Sequence, residues 1–382
     1  MQIERFDTVV IGGGQAGLAT GYYLRRRGIG FVILDGAERV GQAWRDRWDS
    51  LRLFTAARAA GLPGMRIPVP GDRYVTKDEM ADYLEAYADR FDLPVRLGVR
   101  VTRVGAIDEG FDIETVTGDR FRADNVVVAT GAHSRPRIPE FASGLDPDIV
   151  QMHSSAYRNP SQLKPGGVLI VGAGNSGADI AMEVARTHPT WLAGRNPGSN
   201  PFDIEKWFAR HVATRIVVFV GRHVLTLRTP LGRRVRAKTD GKGDPVIRVK
   251  PRWLEAAGVE RVGRVVAVEA GLPVLDDRGA LPVANVIWAT GLAQDLSWLD
   301  LPAFDAEGQP AHVRGVSTTV PGLFFIGMAW QFAIGSEAIP GVPRDARFVV
   351  RALARRQPAS NAARIRSAIS EMREREAVEP VA

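Results

Sequence analysis

The sequence of 382 residues contains no cysteine. A chain without thiols cannot pass electrons through a redox dithiol, so disulfide reduction by an internal cysteine pair is excluded. Long apolar runs are missing as well: the best local one, Ile216 to Val220, falls far short of the roughly 20 residues that a membrane-spanning helix needs. The six histidines form no cluster with metal-ligand spacing, and no metal site is expected. Neither a Ser/His/Asp arrangement nor a catalytic pair of carboxylates is evident. The first apolar run begins within a few residues of Met1, which leaves no room for a signal peptide, and a cytoplasmic location is expected.

What is present suits a globular protein, with 45% apolar and 24% charged residues over a length that favours two domains. The net charge of +7 is uneven, because residues 205–252 carry thirteen Lys or Arg against Glu205, Asp240 and Asp244. Apolar residues interleave with these cations and no nucleic-acid-binding motif accompanies them, so no nucleic-acid partner is expected.

The chain is organised around Asp7 to Gly17, DTVVIGGGQAG. Val9, Val10 and Ile11 form a continuous apolar run suited to a parallel strand buried on both faces. A helix is expected from Gln15 to about Arg27, closed by Gly28. Gly12, Gly14 and Gly17 then supply a tight turn, backbone approach to a pyrophosphate and close packing of helix on strand, while the helix N-terminus receives the phosphate charge. A second apolar run, Phe31 to Leu34, ends at Asp35, twenty-three positions after Gly12, where a carboxylate can accept hydrogen bonds from a ribose.

A single glycine fingerprint is weak evidence, but this one recurs. Gly172, Gly174 and Gly177 in VLIVGAGNSG repeat it at an offset of 160, with Asn175 and Ser176 opening the second helix. Ala129, Thr130 and Gly131 return at the same offset as Ala289, Thr290 and Gly291. The repeat implies an α/β fold with two Rossmann-like dinucleotide-binding domains. Where the first copy has Asp35, the second has Arg195, again twenty-three residues after its first glycine. A cation there suits a 2′-phosphate, so the second ligand is expected to be NADPH and the first FAD.

Between these landmarks, Gly41, Gln42 and Trp44 are placed to wrap the far end of the first cofactor. Residues 56–75 read as an irregular loop. Thr76 with Glu79 forms a capping-box pattern ahead of a helix whose apolar face is Met80, Tyr83, Leu84 and Tyr87. Residues 95–124 read as a small meander before the buried strand Asn125 to Ala129, and Arg135 to Pro147 as the first linker. The stretch from Phe202 to Leu227, with Trp207, Phe208 and Phe219, is expected to be helical and either to wall a substrate cleft between the nucleotide sites, the favoured reading, or to form a basic amphipathic surface. Gly335 and Ser336, after Trp330 and Gln331, are expected to begin a short helix, and a final helix begins at Pro343. The resulting boundaries are 1–147 with 292–382 for a discontinuous FAD domain, and 148–291 for the NADPH domain.

These residues resemble the flavin-dependent monooxygenases of the two-dinucleotide type (class B), in particular plant YUCCA-type enzymes and their bacterial relatives. The resemblance rests on GGGQAG, WDSLRL, both ATG triplets, MHSSAY, GAGNSG and GLFFIG. It implies that NADPH reduces FAD, that the reduced flavin takes up O₂ as a peroxide, and that one oxygen atom reaches a small organic substrate. The family pattern between the nucleotide sites, FxGxxxH with a later Tyr or Phe, is matched by His153 and Tyr157, which take the catalytic places, whereas Pro147 and Ile149 stand where Phe and Gly are expected. Gln331 and Ser336 are expected on the flavin side. An NADPH oxidase or quinone reductase, or a non-catalytic NADPH-sensing flavoprotein, fits the same residues, and self-association is left open.

Overall fold

A computed structural model describes residues 3–131, 135–200, 202–239 and 245–356. Strand β1 (Glu4–Ile11) alternates half-buried and exposed residues up to Asp7, then buries Thr8 to Ile11 as a mid-sheet parallel strand must. Helix α1 (Gln15–Arg25) stops short of Arg27 because its last turn tightens, with Arg27 N donating to Leu24 O and Gly28 N to Arg25 O. Gly28 then takes the left-handed conformation that ends many helices. Strand β2 (Phe31–Leu34) lies parallel to β1.

Helix α2 (Lys77–Arg90) carries the expected capping box: Thr76 Oγ1 accepts from Glu79 N at 3.2 Å, and Glu79 Oε2 accepts from Thr76 N at 3.0 Å. The loop before it is more ordered than its glycines and prolines suggest. Its ends pair as strands, Arg52–Ala56 against Tyr74–Thr76, with a helical turn at Ala57–Ala60. Its middle hangs on α2 through Tyr83, whose hydroxyl donates to Met65 O at 2.9 Å, and Tyr87, which donates to Pro63 O at 2.7 Å. The meander follows as β3 (Val101–Ile107), β4 (Gly110–Thr115) and β5 (Arg120–Val128). Its last strand and the buried strand after it are one piece: β5 pairs antiparallel with β4 at one end and parallel with β1 along its length.

The linker contains a two-residue strand, Arg135–Pro136, and a 3₁₀ turn, Glu140–Gly144. A second, wholly parallel sheet is then built from β6 (Val150–His153), β7 (Val168–Val171), β8 (Thr190–Ala193), β9 (Val259–Val262) and β10 (Asn285–Trp288), in the order β6-β10-β7-β8-β9. Helix α3 (Asn175–Val184) follows β7. Helices α4 (Thr214–His223) and α5 (Pro230–Thr239) are inserted between β8 and β9. The expectation that this insertion presents a cleft wall is corrected: no residue of α4 is buried, and Trp207, Phe208, Ile216, Val217 and Phe219 face solvent.

The chain returns through Leu292–Ala293, which pairs antiparallel with Arg135–Pro136, so the outbound and return crossings form a two-stranded ribbon. Strand β11 (Leu323–Phe325) joins β5 in the first sheet, and helix α6 (Val342–Leu353) packs on α1. Pro343 sits in the first turn of α6, where its missing N–H is no loss. No helix starts at Gly335 and Ser336. The chain there doubles back so closely that a Cβ on Gly341 would lie 2.0 Å from Gly335 O, a path a helix cannot follow.

The offset of 160 is a structural repeat. Ile11 of β1 stands between Leu34 and Val128, and Val171 of β7 stands between Ala193 and Trp288.

Candidate cofactor cleft and domain junction

The first glycine turn is shaped by what its residues lack. Gly12 has φ +108°, and a Cβ there would lie 2.6 Å from Ala129 O. A Cβ on Gly17 would lie 1.8 Å from Gly12 O, so any side chain would push α1 off β1. At Gly14 the reverse holds: nothing of the protein lies within 4 Å of a Cβ, which leaves that space to a ligand. Gly14 also caps α1 without a side-chain bond, so the backbone donors of the first turn are open to an anion.

Gly12 and Gly14 border a cleft of about 680 Å³, lined also by Asp35, Trp44, Ala129, Thr130 and Gly131. Asp35 accepts the backbone N–H groups of Gly13 and Ala37, at 2.5 and 2.7 Å, which fixes its carboxylate at the end of β2. Trp44 Nε1 donates to Gln15 Oε1 at 3.3 Å, and Thr130 Oγ1 is buried without a partner. A buried hydroxyl without a partner, an open glycine cradle and a fixed carboxylate fit an extended dinucleotide. Gly41 and Gln42 do not line the cleft. Gly41 has φ +82° and lies close under α2, where a Cβ would come 2.6 Å from Ala81 O, while Gln42 Nε2 donates to Asp46 Oδ1 at 2.9 Å.

The second turn repeats the first. Gly172 has φ +112°, with a Cβ 2.2 Å from Ala289 O; Gly177 would clash with Gly172 O at 1.8 Å; Gly174 again has nothing within 4 Å. Asn175 faces the insertion instead: its Oδ1 accepts from Ile247 N at 2.8 Å and its Nδ2 donates to Pro245 O at 3.3 Å, while Ser176 follows in the first turn of α3. Arg195, just beyond β8, is exposed and makes no hydrogen bond or ion pair among the described residues. Thr290 Oγ1 donates to Arg137 O and so fastens the crossing ribbon.

His153 and Tyr157 are both buried. The His153 Nδ1 accepts Ser155 N–H at 3.1 Å, so Nε2 carries the proton and donates to Gly291 O at 3.0 Å. Burial lowers the His153 pKa below its ordinary value; the Gly291 carbonyl opposes this and Arg47 adds to it. His153 is therefore a neutral tether at the crossing. Tyr157 lies in the core of the second unit with its hydroxyl donating to Glu183 at 3.0 Å, and burial, then Glu183, raises its pKa. Tyr157 is fully enclosed and does not border the cleft, an arrangement that suits a structural place better than the catalytic one expected. Gln331 and Ser336 are likewise enclosed: Gln331 Oε1 accepts from Met328 N and its Nε2 donates to Arg314 O and Phe325 O, while Ser336 Oγ accepts from Phe332 N and Ala333 N. Neither borders the cleft.

Residues 9–218 match the family model described as pyridine nucleotide-disulphide oxidoreductase. The chain belongs to that family. Among its relatives, the CzcO-like oxidoreductase of Geobacillus kaustophilus is 38% identical over 346 residues, covering 90% of this chain and 97% of the relative. Indole-3-pyruvate monooxygenase YUCCA1 of Oryza sativa is 32% identical over 181 residues, 47% of this chain and 45% of the relative. A double-mutant flavin monooxygenase from Stenotrophomonas maltophilia superposes with a TM-score of 0.74 at 30% identity, covering 92% of this chain and 98% of that one. The protein is thus a pyridine nucleotide-disulphide oxidoreductase family member of the flavin-dependent monooxygenase class, and with no cysteine it has no dithiol of its own through which to relay electrons.

Sequence reasoning missed five charged residues of this family member's cleft: Arg47, Arg100, Arg135, Asp295 and Glu337. Arg47 is the most telling, because burial lowers its pKa against the pull of Asp46, and its side chain makes no hydrogen bond or ion pair among the described residues. A desolvated guanidinium without a partner is suited to an anionic ligand group. Its signal was its place three residues after Trp44, in a chain where arginine is too common to stand out.

Proposed function

We propose that the protein is an NADPH-dependent FAD monooxygenase that transfers one oxygen atom from O₂ to a small organic substrate. The observation that carries this reading is the pair of matching glycine cradles, one followed by Asp35 and the other by Arg195, in a chain without cysteine. Flavin, when bound, supplies the oxygen-activating chemistry, with electrons from the nicotinamide. Residues 1–147 and 292–382 hold FAD, with Gly12, Gly14 and the N-terminus of α1 at its pyrophosphate and Asp35 at a ribose. Trp44, Thr130 and Gly131 enclose it, and Arg47 meets its negative charge or that of NADPH. Residues 148–291 hold NADPH, with Gly172, Gly174 and Ser176 at the pyrophosphate and Arg195 at the 2′-phosphate. His153 positions the crossing between the two. The cytoplasm is its proposed location; no helix among the described residues is long and apolar enough to cross a membrane.

The test is to supply the FAD-loaded protein with NADPH, isotopically labelled O₂ and a panel of amines, sulfides, ketones and aryl-pyruvates. One labelled oxygen in a product, formed only with NADPH, supports the reading. Complete recovery of NADPH electrons as hydrogen peroxide across the panel makes the protein an oxidase, and failure of NADPH to reduce the flavin makes it a sensor.

A further inference from the structure

Residues 206–239 contain nine Lys or Arg and no Asp or Glu. Within them α4 is predominantly apolar, yet none of its residues is buried. Trp207, Phe208, Ile216, Val217 and Phe219 are each more than half exposed. A surface helix ordinarily turns its apolar face inward, and a contiguous apolar patch left in water marks a surface with a partner. Ile216, Phe219 and His223 recur at helical spacing, and Trp207 stacks on His211 at 4.9 Å. Against the helix lies a cavity of about 220 Å³ whose walls include Ala59, Val218 and Phe219, with Arg58, Arg215 and Arg222 beside them. Arg222 Nε is buried without a partner, and the Arg215 side chain makes no hydrogen bond or ion pair among the described residues. Carboxylates are sparse beside these cations: Asp72 lies 3.8 Å from His211, and Asp345 acts on Arg222.

We infer that this face docks on an anionic phospholipid membrane surface, the exposed aromatic and aliphatic side chains entering the interface while the cations meet lipid phosphates, one of them in the cavity beside α4. Charge selects this occupant. A second copy would set two faces with the same excess of positive charge against each other, and a nucleic acid has no use for Ile216 and Val217. A basic amphipathic helix with bulky apolar residues lies in the plane of a bilayer surface, and the cytoplasmic leaflet carries the negative charge such a face requires. The inference does not depend on the oxygen-transfer reading.

The test uses the FAD-loaded full chain and sedimentation with vesicles of phosphatidylcholine alone or mixed with phosphatidylglycerol. Binding should favour the mixed vesicles roughly tenfold or more and weaken as salt is raised. The double substitution Ile216→Asp with Phe219→Asp should abolish it while FAD content and flavin reduction by NADPH stay at the wild-type level. Arg215→Glu alone should weaken it roughly tenfold, and it decides the matter if the double variant fails to fold. Equal binding to neutral and anionic vesicles, no binding, or unchanged binding by the variants overturns the proposal. So does concentration-dependent self-association that the double variant abolishes, which makes the face an interface between copies.

Discussion

His153 Nε2 lies 3.0 Å from the carbonyl oxygen of Gly291, and the same carbonyl accepts the backbone N–H of Arg137 at 3.0 Å. One oxygen therefore joins the end of β6 to both strands of the crossing ribbon, the two places where the chain passes between its sheets. His153→Ala should slow flavin reduction by NADPH while FAD content stays near normal, because the tether sets the approach of one unit to the other. His153→Gln, whose amide can still donate, should restore much of the rate. Wild-type reduction by the Ala variant, or loss of FAD from it, would contradict the tether.

The same histidine makes stability depend on pH. Burial lowers the pKa of His153 and of His312 below 6.5 in the folded protein, whereas the unfolded chain protonates near that value. Their contribution is thus complete above pH 6.5 and declines as pH falls through the window below it. The melting temperature should drop between neutral and mildly acidic pH, and His153→Gln should drop less, with His312 accounting for part of the remainder. A pH profile that His153→Gln leaves unchanged would remove His153 from this role.

The two open glycines separate ligand binding from folding. Gly14 and Gly174 have ordinary extended backbone, with φ −75° and −74°, and no protein atom within 4 Å of a Cβ. Gly14→Ala should change the stability of the apo-protein by less than about 1 kcal/mol yet weaken FAD roughly tenfold or more. Gly174→Ala should keep FAD and raise the KM for NADPH. Gly12→Ala is the contrasting case, since its Cβ would collide with Ala129 O whether or not a ligand is present. Calorimetry and flavin titration distinguish these outcomes; normal FAD affinity in Gly14→Ala would mean the cradle is not the pyrophosphate site.

Much of the fold was legible because its constraints are local. A run of Val and Ile followed by glycines at fixed spacing has few solutions, and the same run repeated 160 residues later has the same one. The capping box of α2 was readable for the same reason. Gln331 and Ser336 were not, because their partners are backbone donors and acceptors brought together by turns that no short spacing encodes. The exposure of α4 was equally hidden, since an apolar stripe specifies a partner but does not say whether the same chain provides it. Arg47 was lost among 44 arginines, and only its burial in the cleft sets it apart.

The enclosure of Tyr157 can be checked directly. Tyr157→Phe removes one hydrogen bond to Glu183 and should cost about 1 kcal/mol of stability, with NADPH turnover unchanged. A fall in kcat with stability intact would return Tyr157 to a functional place.

The central claim is that electrons pass from NADPH at the second cradle to FAD at the first, with Arg195 choosing the phosphorylated nucleotide. The direct measurement is anaerobic rapid mixing of the FAD-loaded protein with NADPH or NADH, following loss of flavin absorbance. NADPH should bleach the flavin with kcat/KM roughly tenfold or more above NADH, and Arg195→Ala should erase most of that difference by lowering the NADPH value alone. No bleaching by either nucleotide, or equal rates that Arg195→Ala leaves unmoved, would contradict the account.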